Sequence, residues 1–210
     1  MISESELASF VVALFSMMNP IGNLGIFAGM TSNRPKGEVA RIAWSSAAAI
    51  SVILLIVVWA GSMAMQLFGI TVDTLRASGG IIILLIGLRM LFNNSDHKHS
   101  DDELEEAGSS DSIAVVPIAI PIVAGPGTIA TVLVAVEHSE GVFGKMEFSI
   151  VIVLMAALCG LLFSFATPIS RRLGASGMGV VTRVMGMVLA AIAVGMITES
   201  LKSLLPGLAG

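Results

Sequence analysis

The chain has 210 residues, of which 55% are hydrophobic and 12% charged, with a formal net charge of −4 at pH 7. Soluble domains carry roughly 25% charged residues, about twice the share found here. Together with a mean hydropathy of +0.94, this excludes a disordered chain, a basic nucleic-acid binder and most soluble enzymes, and indicates a polytopic membrane protein.

The N-terminus, Met1-Ile2-Ser3-Glu4-Ser5-Glu6, is acidic and lacks the basic region of a secretory signal, so the first apolar stretch is expected to stay as a spanning helix. No charge occurs between Glu6 and Arg34, Arg41 and Asp73, Asp111 and Glu137, or Glu147 and Arg171. Each gap exceeds the ~20 residues that cross a ~30 Å hydrocarbon core. Two further spans surround Arg76 and Arg183. The spacing predicts an all-α integral membrane protein with six transmembrane helices at 6–32, 42–67, 70–92, 113–136, 147–170 and 178–202. Nothing resembles the short alternating strands of an outer-membrane barrel. Cys159 is the single cysteine, so no intrachain disulfide framework exists.

Basic residues fall in the odd-numbered loops: Arg34, Lys36 and Arg41 in the first, Lys98 in the third beside Arg89, and Arg171 and Arg172 in the fifth. The positive-inside rule then places both termini outward, on the periplasmic or extracellular side of the membrane. The hydrophilic loop 93–112 carries His97, His99 and an acidic run. It reads as a solvated linker rather than a metal site, dividing a first three-helix repeat, 1–92, from a second, 113–210.

Two prolines interrupt apolar spans at matching places. Helix 1 carries Asn19-Pro20-Ile21-Gly22-Asn23 and helix 4 carries Gly125-Pro126-Gly127-Thr128, with the prolines 106 positions apart. The arginines at Arg76-x-x-Gly79 and Arg183-x-x-Gly186 stand 107 apart. A shared offset indicates a duplicated three-helix unit, and because three is odd the second copy must be inverted. That is the arrangement in which discontinuous helices meet near the membrane midplane. Proline breaks a helix but starts one well. Asn19 is thus expected at the N-cap of a second half-helix, with Gly125 in the equivalent place. Half-helix N-termini suit a carboxylate, and the carbonyls freed at each break suit an ammonium group, so the expected ligand is a small zwitterion.

Single features here have plainer readings. A lone proline in a membrane helix is often only a kink. Asn23 and Thr128 either line the site or satisfy freed backbone groups. Arg76 and Arg183 either snorkel as anchors or cap and gate the breaks. Gly79 and Gly186, with Ser78 and Gly80, suit close helix packing. No Asp, Glu, Lys or His occupies the middle of a span, and no phosphate-binding loop, zinc-protease helix, nucleophile elbow or carboxylate pair is present. The chain is therefore not read as an enzyme, and no metal or cofactor is expected.

At these residues the chain resembles the MarC family of membrane proteins, which includes SnatA-type neutral amino acid transporters. The resemblance lies in Asn19-Pro20-x-Gly22, Leu67-Phe68-Gly69-Ile70 through Arg76-x-x-Gly79-Gly80, Val116-Pro117-x-Ala119-x-Pro121 into Ala124-Gly125-Pro126-Gly127, and Thr182-Arg183-x-x-Gly186. It implies a six-span inner-membrane protein. Some members are described as moving alanine or glycine, and others carry an old multiple-antibiotic-resistance label. The function expected is a secondary transporter of small neutral amino acids working by alternating access. Its partners are the bilayer and that substrate, and proton or sodium coupling and a homo-oligomer are both compatible with it. The competing expectations are a non-transporting scaffold or regulatory subunit, and a drug-efflux protein.

Overall fold

The computed structural model describes residues 3–31, 34–92, 123–137, 141–205 and 207, and among them there is no strand. Helix α1 (Glu4–Met18) opens with a capping box: Ser3 Oγ accepts the Glu6 amide at 3.3 Å while Glu6 Oε2 accepts the Ser3 amide at 3.0 Å. It ends at Asn19, which is left-handed at φ 44°. Helix α2 (Leu24–Met30) follows after a turn, so the expected first span, 6–32, consists of two helices.

Helix α3 (Lys36–Phe68) starts six residues before the expected 42. Its first turns, Lys36-Gly37-Glu38, are charged, and charge marks where a helix leaves hydrocarbon, not where its backbone bonding stops. Pro35 precedes it, and Gly69 at φ 65° ends it, with the Ile70 amide donating to Met65 O at 2.9 Å. Helix α4 spans Val72–Phe92. The expected fourth span, 113–136, enters the described residues only at Val123, where helix α5 (Pro126–Glu137) begins shortly after. Residues 93–122, with His97, His99, Pro117 and Pro121, lie outside the described residues.

Helix α6 (Gly141–Ser164) begins and ends six residues before the expected 147–170. Helix α7 (Ala166–Leu204) then starts within the expected span and runs through the expected fifth loop. Pro168 lies in its first turn, where proline costs no hydrogen bond. The interruption comes instead at Gly174, whose φ of 65° and ψ of 177° only glycine adopts readily. Arg171 and Arg172 are therefore helical.

Four described helices are long and apolar enough to cross a membrane: Lys36–Phe68, Val72–Phe92, Gly141–Ser164 and Ser176–Leu204. Their outer surfaces expose Trp44, Val52, Ile56, Phe143, Ile150 and Leu154, an apolar surface suited to lipid and not to water. Hydroxyls within them donate back along the helix, as Ser51 does to Ala47 O and Thr198 to Val194 O.

Pairing is antiparallel. Along α3 and α6, Gly160 sits against Ala47, and Trp59 Nε1 donates to Ser149 Oγ at 3.3 Å. Along α4 and α7, Gly87 meets Gly186, Gly80 meets Ala193, and Ser200 Oγ donates to Asp73 O at 2.7 Å. The main core joins α1, α2, α3, α5 and α6 and includes the Phe10–Phe148 and Phe27–Phe163 ring pairs. A smaller cluster, Met17, Ile83, Leu189 and Ala193, joins α1, α4 and α7.

These contacts fix which groups share an end of the bundle. Phe10 lies beside Phe148, near the start of α6, and Ser203 bonds Asp73, near the start of α4. Trp59, in the last third of α3, lies beside Ser149, so α3 ends where α6 starts, and α4 begins four residues later. Hence the two ends of the described chain lie on one side. That end carries Glu4, Glu6, Asp73, Glu137, Glu147 and Glu199 with only Arg76, Lys145 and Lys202. The opposite end carries Arg34, Lys36, Arg41, Arg89, Arg171, Arg172 and Arg183, with Glu38 the one acid among the described residues there.

Candidate functional site

The first interruption is a turn between α1 and α2. Asn19 is 5% exposed, and asparagine is among the few side-chain-bearing residues that tolerate its left-handed backbone. Its amide donates to Phe15 O, closing α1, and its Oδ1 accepts the Gly22 amide at 3.2 Å. The expected capping bond is thus made, but Asn19 is the C-cap of α1. Regular helix resumes only at Leu24, with Asn23 as N-cap. Gly22 is required by that bond, since a Cβ there would stand 2.6 Å from Asn19 Oδ1. Pro20 is buried in the turn. Asn23 uses its side chain on the preceding helix: Nδ2 donates to Met18 O at 3.1 Å.

A comparable arrangement precedes α5. Gly125 precedes α5, which starts at Pro126, and the Ile129 amide donates to Gly125 O at 3.0 Å. Thr128, 3% exposed, donates through Oγ1 to Val123 O at 2.7 Å. Asn23 and Thr128 therefore each reach back five residues to a carbonyl released by the break. Each of those two carbonyls thus already accepts one donor from the protein. The amides of Gly127 and Thr128, in the first turn of α5, have no backbone acceptor among the described residues, and both residues are buried.

The end of α1 meets the start of α5. A Cβ at Gly127 would stand 3.8 Å from Met17 Sδ, one residue before the end of α1, and 2.6 Å from Ile83 Cγ1 of α4. Asn19 Nδ2 approaches Met90 Sδ at 3.6 Å. Met17, Ile83 and Met90 thus join the residues named from sequence. Methionines beside a helix break were a signal, while Ile83 sits in an apolar run with nothing to mark it.

The remaining named residues lie elsewhere. Arg76 is half-buried near the acidic end, 3.8 Å from Asp73 one turn before it. Arg183 is exposed on α7 towards the basic end. Gly79 packs against Ala130 of α5, and Gly186 against Gly87 O and Met90. Both glycines serve close helix approach, with backbone or a short side chain on the other side. No group of three or more metal-ligating side chains occurs among the described residues.

Comparison with known proteins gives a consistent answer. A family profile described as MarC family integral membrane protein matches residues 5–205. The chain is 38% identical over 197 residues to UPF0056 membrane protein YvbG of Bacillus subtilis, covering 93% of each chain. It is 32% identical over 200 residues to UPF0056 membrane protein YhcE of Escherichia coli, covering 95% of this chain and 93% of the relative. A UPF0056 membrane protein of Methanocaldococcus jannaschii is 33% identical over 203 residues, covering 95% and 99%. No solved structure matches.

Proposed function

The chain belongs to the MarC family of integral membrane proteins, and from that premise we propose that it is a secondary transporter of small neutral amino acids. The observation that carries this reading is the meeting of the end of α1 with the start of α5 inside an apolar bundle, Met17 against Gly127. Beside it lie the buried residues Gly127 and Thr128, whose amides have no backbone acceptor among the described residues. A helix start of this kind presents roughly +0.5 charge to a carboxylate. The C-terminal end of α1 carries partial negative charge, so the ammonium group is assigned to the Asn19 side of the site.

In this reading α1 with α2, α3 and α4 form one three-helix repeat, and the segment ending in α5, α6 and α7 form its inverted copy. The support is a set of contacts that exchange under the offset of the prolines. Adding 106 to Gly80 and Gly87 gives Gly186 and Ala193, and Gly87 meets Gly186 while Gly80 meets Ala193. The same offset links Ile83 to Leu189 and Met90 to Met196, all in the smaller apolar cluster. Rocking one repeat on the other would open the site to alternate sides. The basic end of the bundle is assigned to the cytoplasm and the end bearing both termini to the outside of the inner membrane.

A scaffold role would leave the breaks facing lipid, whereas Asn19 and Pro20 are buried. The test is uptake of labelled alanine, glycine and serine into proteoliposomes, with and without proton or sodium gradients. Saturable uptake of at least one substrate, above that of empty vesicles, is expected. Equal retention in empty and protein-containing vesicles for every substrate and gradient would end the proposal.

A further inference from the structure

At the basic end a cleft of about 300 Å³ opens between α2 and the first segment of α7. It is lined by Gly25, Ala28, Gly29, Thr167, Ser170 and Arg171, none of which belongs to the site described above. Thr167, Ser170 and Arg171 stand at i, i+3 and i+4, so two hydroxyls and a guanidinium share one helix face. The opposing wall offers little side chain. A Cβ at Gly29 would meet nothing within 4 Å, and one at Gly25 only Met178 Cε at 3.3 Å. The side chains of Thr167, Ser170 and Arg171 make no hydrogen bond or ion pair with another described residue. The one described acid at this end, Glu38, is paired with Arg34 and so does not neutralise Arg171.

The geometry points to a binding site for a phosphate-class oxyanion, held by Arg171, Ser170 and Thr167 in the cleft between α2 and α7. Arginine presents a planar fork that matches phosphate oxygens two at a time. Two further hydroxyl donors suit a ligand with more than the two oxygens of a carboxylate. A basic pocket between helices at the membrane surface is also where anionic headgroups are captured. Phosphodiester headgroups and free phosphate share this chemistry, and the source is decided by experiment.

The test uses the purified full chain in detergent. Native mass spectrometry reads retention of phosphatidylglycerol against phosphatidylcholine, and thermal unfolding reads protection by inorganic phosphate. Arg171→Gln removes the guanidinium. Gly29→Leu fills the cleft while leaving every donor in place, and Arg172→Gln is the neighbouring control outside the lining. Wild type and Arg172→Gln are expected to bind the anion alike, and Arg171→Gln roughly tenfold more weakly, the loss of one charge-assisted hydrogen bond. Gly29→Leu is expected to weaken binding similarly, with ligand-free unfolding temperatures matching wild type as the check on folding. Retention of phosphatidylglycerol without protection by phosphate identifies a lipid headgroup, and the reverse a soluble anion. Three results would overturn the site: neither ligand binding, equal losses in Arg171→Gln and Arg172→Gln, or wild-type binding in Gly29→Leu.

Discussion

Met17 and Gly127 bring the end of one interrupted helix onto the start of the other, and the close approach depends on the missing side chain. A Cβ at Gly127 would come within 2.6 Å of Ile83 Cγ1, and Ile83 is 2% exposed, with little room to retreat. Gly127→Ala is therefore expected to push α5 off α4, at about 1–3 kcal/mol. Transport should fall at least as steeply as stability, because the amides at the start of α5 move with it. Pairing Gly127→Ala with Ile83→Ala removes the opposing Cγ1, so the double variant should lose less than the two single losses combined. Thermal unfolding in detergent and vesicle uptake on the singles and the double check this, and strict additivity would show that the two residues do not touch.

Asn19 combines two demands, a left-handed backbone and a side-chain acceptor for Gly22. Asn19→Ala fails both, losing a cap worth about 0.5–2 kcal/mol and the local hydrogen bonding by which asparagine offsets the roughly 1–2 kcal/mol that a Cβ costs in a left-handed backbone. Asn19→Gly loses only the cap. The expected order of unfolding temperature is wild type, then Asn19→Gly, then Asn19→Ala. An inverted order for the two variants would mean that the turn has another backbone conformation.

The four long spans were legible because charge-poor runs of sufficient length are imposed by the bilayer itself. Helix ends were not, since Lys36, Arg171 and Arg172 mark an exit from hydrocarbon while the backbone continues helical. Asn19 shows a second limit: asparagine suits both an N-cap and a left-handed C-cap, and only the surrounding turn decides between them. The roles of Asn23 and Thr128 were open in the sequence and are fixed by which carbonyl each reaches. Periodicity carries no information on pairing, so Met17 with Gly127 and Gly87 with Gly186 required coordinates.

Thr128 Oγ1 bonds a carbonyl in a site that holds little else polar. Thr128→Val keeps the shape and leaves Val123 O without that donor, at a cost of about 1–3 kcal/mol. Thr128→Ser keeps the hydroxyl and should stay close to wild type. Thermal unfolding separates them, and equal stabilities would show that the bond to Val123 O contributes nothing.

Glycines along α7 should differ sharply in tolerance. Gly186 faces Gly87 O, which a Cβ would approach to 2.8 Å, and a backbone atom in a packed helix cannot swing aside. At Gly195 a Cβ meets nothing within 4 Å. Gly186→Ala is expected to destabilise by about 1–3 kcal/mol, and Gly195→Ala to stabilise by up to about 1 kcal/mol through helix propensity. Unfolding temperatures of both check the α4–α7 crossing. Equal effects would mean that the crossing is looser than the contact distances imply.

The charge asymmetry of the two ends predicts how the protein sits in a cell. The end shared by both termini holds six described acids and three basic residues, and the other holds seven basic residues and one acid. Basic residues in short loops stay on the cytoplasmic side, so Ser3 and Lys202 should face outward and Arg172 inward. The native thiol, Cys159, is buried, and Cys159→Ala provides a background in which only introduced thiols react. In that background Ser3→Cys and Lys202→Cys should be labelled in intact cells by a membrane-impermeant maleimide. Arg172→Cys should be labelled only after permeabilisation. Opposite labelling of Ser3→Cys and Lys202→Cys would contradict the fold, which places both ends together. Labelling of all three sites in the reverse sense would preserve the fold and invert the orientation, moving the basic cleft at Arg171 to the outer surface.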